Sequence, residues 1–108
     1  MILRDKTPPR IFAWREPVDM RKSFDGLLGL VRDVMDADPL SGSLYVFVNR
    51  RGNYLKLIYW DRTGFALFAK RLERGRFAIP GHGPTQQLSR EQLFLILDGI
   101  LLGGRVLV

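Results

Sequence analysis

The side chains best equipped for chemistry in this chain are cationic. Between Arg50 and Arg76 stand Arg50, Arg51, Lys56, Arg62, Lys70, Arg71, Arg74 and Arg76, against only Asp61 and Glu73. The formal net charge of the whole chain is +6, so this window accounts for all of it. Aromatic residues interleave with the charges: Tyr54, Tyr59, Trp60, Phe65 and Phe68 inside the window, Tyr45, Phe47 and Phe77 just outside. Guanidinium and ammonium groups neutralise phosphates, and exposed rings stack on unpaired bases, so the pattern suits a nucleic acid. Trp60 is the ring chosen for stacking, because strand alternation puts it on the face of Lys56. Arg21 and Lys22 extend the track at the expected start of a helix, where backbone N–H groups also favour an anion.

Other chemistries find less support. The chain has no cysteine, which excludes disulfides, thiolate metal sites and Cys nucleophiles. Its one histidine, His82, stands in the loop Pro80-Gly81-His82-Gly83-Pro84 and reads as a solvated loop residue. Asp19, Asp25, Asp36, Asp38, Asp61 and Glu73 could pair around a metal as nucleases require, but nothing in their spacing demands it. Ser41 and Ser89 lack a base and an orienting group. Gly81-His82-Gly83 lacks the lysine and strand–helix context of a phosphate loop. The expectation is a protein that is not an enzyme, with no cofactor and no metal.

These side chains must be positioned by a single domain, since 108 residues are too few for two. At 46% hydrophobic and 26% charged the chain is ordinary for a globular fold, although its pI of about 10.3 is not. Residues 1–9 read as a flexible arm closed by Pro8-Pro9, 10–102 as the α+β domain and 103–108 as a tail. Arg10 to Arg15 is a short strand candidate. Phe24, Leu27, Leu28, Val31, Val34 and Met35 fall on one helical face, predicting a helix from Met20 to about Asp36 with Asp19 as N-cap. Gly26 and Gly29 within it suggest close approach to the sheet.

The period then changes to that of strands. Leu44 to Asn49, Tyr54 to Trp60 and Phe65 to Leu72 are separated by Arg50-Arg51-Gly52-Asn53 and Asp61-Arg62-Thr63-Gly64, which are turns by composition. Phe77 to Ile79 is a possible edge strand. A second helix starts at a capping box, Ser89 with Gln92, stapled by Leu88 and Leu93. It is expected to run to Leu102, ended by Gly103-Gly104, with Leu93, Ile96, Leu97, Ile100 and Leu101 as its buried stripe. Phe94, Leu95 and Leu102 lie off that stripe and are candidate partner-binding residues, for another protein or a second copy. The predicted fold class is α+β: an antiparallel meander of four to five strands with two helices packed on one face, the other face carrying the basic residues.

No apolar core of a signal peptide opens the chain, and the run Leu93 to Leu97 is far short of a membrane span. A cytoplasmic protein without membrane contact is expected.

Several segments, in order, resemble one known family. They are Asp19-Met20-Arg21-Lys22-Ser23-Phe24-Asp25-Gly26-Leu27, Asp38-Pro39-Leu40-Ser41-Gly42 and Asn49-Arg50-Arg51-Gly52. Lys56, Tyr59-Trp60-Asp61 and Gly64 follow, then Lys70-Arg71-Leu72-Glu73-Arg74-Gly75-Arg76-Phe77 and Asp98-Gly99-Ile100. Together they are similar to the small accessory protein of insertion sequence 66 family transposons, the TnpB-type product of the second reading frame and not the RNA-guided nuclease of that label. The resemblance covers about residues 11–101; Ile11 to Glu16 and the residues after Leu101 follow no family motif. It implies a non-catalytic helper in DNA transposition that works alongside a larger transposase. The expected partners are therefore DNA, contacted by the basic sheet face, and transposase, contacted by the last helix. An adaptor that docks an acidic patch of transposase without touching DNA is the alternative, and a metal-dependent nuclease the second.

Overall fold

The computed structural model describes residues 8–99. In chain order its elements are β1 (Ile11–Trp14), α1 (Phe24–Gly29) running into a wide π-helical turn (Leu30–Val34), β2 (Leu44–Val48), β3 (Tyr54–Trp60), β4 (Phe65–Arg71), β5 (Thr85–Leu88) and α2 (Arg90–Leu97). The strand order is β4-β3-β2-β1-β5. The fold class is α+β as expected, and β2, β3 and β4 form the meander. The sheet is nevertheless mixed. The crossover through α1 returns the chain parallel to β1, setting Ile11 opposite Leu44, because parallel neighbours need a long connection.

The edge strand lies elsewhere than Phe77 to Ile79. It is β5, antiparallel to β1 with Leu88 opposite Ile11. Thr85-Gln86-Gln87-Leu88 buries only Leu88, so it carries almost no hydrophobic alternation to read. Phe77 is not in a strand and is 4% exposed, sealing the sheet end instead.

The two helices pack on opposite faces, which corrects the one-face expectation. Every residue of β2 is buried. Leu44, Val46 and Val48 join Leu55, Leu57, Phe77, Leu93 and Ile96 on the α2 side. Tyr45 and Phe47 join Ile58, Leu27 and Val31 on the α1 side. A strand that is apolar at both parities needs cover on both faces, so no open basic face remains at the sheet centre.

The first helix starts later than Met20. Asp19 caps no helix. Its Oδ1 accepts from the Arg21 N–H at 2.9 Å and its carbonyl from the Lys22 N–H at 3.1 Å, making a turn that delays the helix to Phe24. A Cβ on Gly26 would lie 3.1 Å from Cβ and Cγ of Lys22, so this glycine makes room for a lysine stem rather than for the sheet. The end near Asp36 is as expected. Met35 donates to the Leu30 carbonyl (2.8 Å) and Ala37 to that of Val31 (2.9 Å), with Asp36 left-handed at φ 54°. The wider turn shifts the helical phase, leaving Val34 49% exposed although it belonged to the predicted stripe.

Ser89 and Gln92 form the expected capping box. Ser89 Oγ accepts from the Gln92 N–H (3.1 Å) and Gln92 Oε1 from the Ser89 N–H (2.8 Å). Ser89→Ala is expected to lower stability by about 1 kcal/mol, read by denaturant titration. α2 stops at Leu97, short of the predicted end. Gly99 is left-handed (φ 73°) and donates to the Ile96 carbonyl at 2.9 Å, and a Cβ there would meet Leu72 Cδ1 at 3.3 Å. The predicted helical residues Ile100, Leu101 and Leu102, most of the arm 1–9 and the tail 103–108 lie outside the described residues. Among the described residues no helix is long and apolar enough to cross a membrane.

Candidate nucleic-acid interface

The basic residues sort by strand end and by sheet face. β1 and β2 run parallel, so their carboxyl ends share one rim with the start of β3, the end of β4 and the start of β5. That rim carries Arg15, Arg50, Arg51, Arg71, Arg74 and Arg76. The carboxylates in the same loops are Glu16, Asp19 and Glu73, and Asp19, paired with Arg21, lines a hollow beside Arg50 and Arg51.

Local chemistry builds the rim. Asn49 to Gly52 is a tight turn, with the Gly52 N–H donating to the Asn49 carbonyl (3.0 Å) and Gly52 at φ 74°. The Asn49 side chain holds it. Its Oδ1 accepts from the N–H groups of Asn53 and Tyr54, both at 3.0 Å, and its Nδ2 donates to Asn53 Oδ1 at 2.7 Å. The chain leaving β4 folds back over this turn. Leu72 donates to the Asn53 carbonyl (2.8 Å) and Phe77 to that of Gly52 (2.7 Å). Those two bonds pin the ends of the loop carrying Arg74 and Arg76. Gly52 has the Arg76 side chain 3.5 Å from where its Cβ would stand.

The result is an open concavity of about 280 Å³, lined by Trp14, Arg15, Asn49, Arg50, Arg51 and Arg76 among others. Arg50, Arg51, Arg71, Arg74 and Arg76 are exposed and make no salt bridge among the described residues. Arg71 stands opposite Tyr54 across β3 and β4 and lies over its ring, 5.9 Å from the centroid. Unpaired arginines side by side repel one another and attract a polyanion.

Lys56 and Lys70 are placed differently from the expectation that put them on a binding face. They point to opposite faces of the sheet, since Lys56 pairs with Ala69 and Lys70 with Leu55. Lys56 is 8% exposed, and its Nζ donates to the Lys22 carbonyl at 2.7 Å, tying β3 to the entry of α1. Lys70 Nζ donates to the Leu97 carbonyl at 2.8 Å, closing the C-terminal end of α2 where a cation is favoured. Each lysine therefore anchors one helix to the sheet. Lys56→Met is expected to lower stability by about 1–2 kcal/mol while leaving DNA affinity within twofold, read by denaturant titration and anisotropy. A much larger affinity loss in the folded variant would return Lys56 to the binding surface.

Trp60 and Arg62 are at the far end of β3, roughly 20 Å from Tyr54 at strand rise. Trp60 packs edge-on against Phe65 at 5.0 Å. Arg62 is left-handed at φ 64° in the Asp61–Gly64 turn. Burial, followed by the nearby Asp61 carboxylate, pushes the Tyr59 phenol up. This end does not join the arginine rim.

Arg21 is bound to Asp19 through Nε and Nη2, the shortest contact being 2.6 Å. Hydrogen bonds from the Arg21 side chain and backbone hold the Asp19 carboxyl down at about 2. The pairing is therefore complete above the ordinary value of 3.8 and is lost as pH falls through about 2. A carbon NMR titration should find that midpoint, and Arg21→Ala should return it towards 3.8. Lys22 is exposed beside this pair, with its carbonyl taken by Lys56.

Sequence reasoning missed three contributors to the rim: Arg15, Trp14 and the turn-forming Asn49. Arg15 lies outside the charge-rich window. Its backbone N–H donates to the Pro84 carbonyl (2.7 Å) and its Nη1 to that of Gly83 (3.1 Å), fixing it beside the concavity. Its Nε is buried without a hydrogen-bond partner among the described residues. On α2, Phe94 is 54% and Leu95 39% exposed, with Arg90 over the Phe94 ring at 5.8 Å. The other proposed partner residue, Leu102, lies outside the described residues. No three potential metal-ligating His, Cys, Asp or Glu residues come together among the described residues.

A mixed five-stranded sheet with a helix on each face and a charged rim defines a small α+β protein with a surface suited to polyanions. Residues 9–105 match the model of the IS66 Orf2 like protein family, and the chain belongs to that family. It is 45% identical over 92 residues to Uncharacterized protein y4hO of Sinorhizobium fredii, covering 84% of this chain and 80% of that one. It is 37% identical over 92 residues to Uncharacterized protein y4jC of the same organism, covering 84% and 79%. No solved structure matches it. The family is that of an accessory protein associated with transposition of an insertion sequence.

Proposed function

We propose that the chain is a non-catalytic DNA-binding accessory factor, and that DNA lies along the arginine rim. The observation that carries this reading is the convergence of Arg50, Arg51, Arg71, Arg74 and Arg76 from separate loops onto one sheet end, exposed and without salt bridges among the described residues. A fold gains nothing from clustering like charges at its surface unless a partner neutralises them. The rim groups neutralise phosphates. In this reading the chemistry of strand transfer belongs to the transposase, and the exposed Phe94 and Leu95 of α2 supply an apolar contact to it.

The test is fluorescence anisotropy of labelled oligonucleotides over a salt series. Log K should fall linearly with log salt, with a slope of about −0.9 per phosphate contact on duplex and about −0.7 on single strands. No binding at low salt would sink the proposal and favour the adaptor reading. An adaptor should still capture transposase from an extract treated with nuclease.

A further inference from the structure

We infer that the rim concavity is a site for one unpaired nucleotide of DNA, its phosphate held by the arginines and its base laid against Trp14. This rests on the DNA-binding reading and makes it more specific. Three observations converge. First, Arg15, Arg50, Arg51 and Arg76 line one concavity together, although they come from the end of β1, the β2–β3 turn and the loop after β4. Second, the Nε of Arg15 is a buried donor without an acceptor among the described residues, while its Nη1 and backbone N–H are fixed on Gly83 and Pro84. Its guanidinium is thus held in place beside the exposed ends of Arg50, Arg51 and Arg76, and adds its charge to theirs. Third, Trp14 lines the same concavity and is only partly buried, packed with the α1-side cluster. An indole at the edge of a cationic concavity is the kind of side chain on which an unpaired base stacks.

Size and shape choose the ligand. About 280 Å³ accommodates a single nucleotide unit. Away from its ends a duplex keeps its bases stacked inside and offers Trp14 no free ring face, and its phosphates would reach only the outer arginines. Unpaired DNA can offer both parts at once.

The experiment uses Trp60→Phe protein, in which Trp14 is the only indole. A short single-stranded oligodeoxythymidylate and a long blunt duplex, whose two ends are few beside its internal sites, are titrated separately at equal nucleotide concentration. Trp14 emission and DNA anisotropy are read in parallel. The single strand should quench Trp14 on saturation and the blunt duplex should not. Arg15→Gln should weaken single-strand binding about tenfold and duplex binding by no more than about twofold. Single-strand binding that saturates by anisotropy with Trp14 emission unchanged would overturn the inference and leave the rim as a plain phosphate surface. Equal quenching by the duplex would also overturn it. No binding of either form would overturn both this and the DNA-binding reading. Should Trp60→Phe not fold, the difference in quenching between the parent and Trp14→Phe supplies the same readout.

Discussion

Reversing Arg51 and Arg76 to glutamate lowers DNA affinity by about two to three orders of magnitude at 0.1 M salt and flattens the duplex salt slope by about 2. The size follows from counterion release. Each phosphate contact adds about 0.9 to the slope, which near 0.1 M salt corresponds to about eightfold in affinity. Reversal also places two carboxylates against phosphates, so the loss exceeds that of neutral replacement. Both side chains line the concavity and are exposed, so folding should survive, and an unchanged unfolding midpoint checks that. The control is Arg62→Glu. Arg62 is at the opposite end of β3, roughly 20 Å away by strand rise and beyond a Debye length at this salt. It should weaken binding far less. Equal losses from the two ends would mean that DNA does not lie along the rim.

Asn49→Ala is expected to destabilise the protein by about 2–3 kcal/mol, because it removes three side-chain hydrogen bonds of about 1 kcal/mol each. For a domain of this size that corresponds to a fall in Tm of roughly 10–20 °C. Two of the lost bonds serve the N–H groups of Asn53 and Tyr54, which have no equivalent acceptor from alanine. Function should suffer as well. The turn carries Arg50 and Arg51 and supplies the Gly52 and Asn53 carbonyls that hold the Arg74–Arg76 loop. DNA affinity should therefore drop in conditions where the variant is still folded, although no charge has changed. Asn49→Asp keeps an acceptor for both N–H groups and should recover most of the stability. A variant as stable as the parent would show that Gly52 and the strand ladder suffice to hold the turn.

The family motifs take on a physical meaning in this frame. In Asp38-Pro39-Leu40-Ser41-Gly42, the Asp38 carboxylate accepts from the Leu40 N–H at 2.9 Å, and the Tyr45 hydroxyl donates to the Asp38 carbonyl at 3.1 Å. In the opening motif, Asp19 and Lys22 shape the entry to α1, and the Lys22 carbonyl receives Lys56. In the long motif after β4, Lys70 closes α2 and Leu72 and Phe77 fasten the loop. Much of what resembles a binding signature is thus the frame that holds the arginines. Arg50, Arg51, Arg71, Arg74 and Arg76 are the members left for a ligand.

What the residues determined alone was local. Alternation and turn chemistry placed the meander from β2 to β4, since side-chain period and glycine geometry are properties of adjacent residues. The capping box placed the start of α2 for the same reason, and net charge identified a polyanion as the class of partner to test. What only the tertiary structure decided was which side chains share a surface. Parallel pairing of β1 with β2 brought Arg15 and Trp14 beside Arg50 and Arg51, a meeting that no spacing along the chain encodes. Cover on both faces of β2 buried Lys56 and gave Lys70 to α2, although one-dimensional charge counting treats every lysine alike. Polar β5 was invisible because its place comes from its partner strand rather than from its own pattern. Helix length, too, was set by context. Asp19 turned back on Arg21 before α1 could start, and Gly99 took its left-handed turn against Leu72 to end α2.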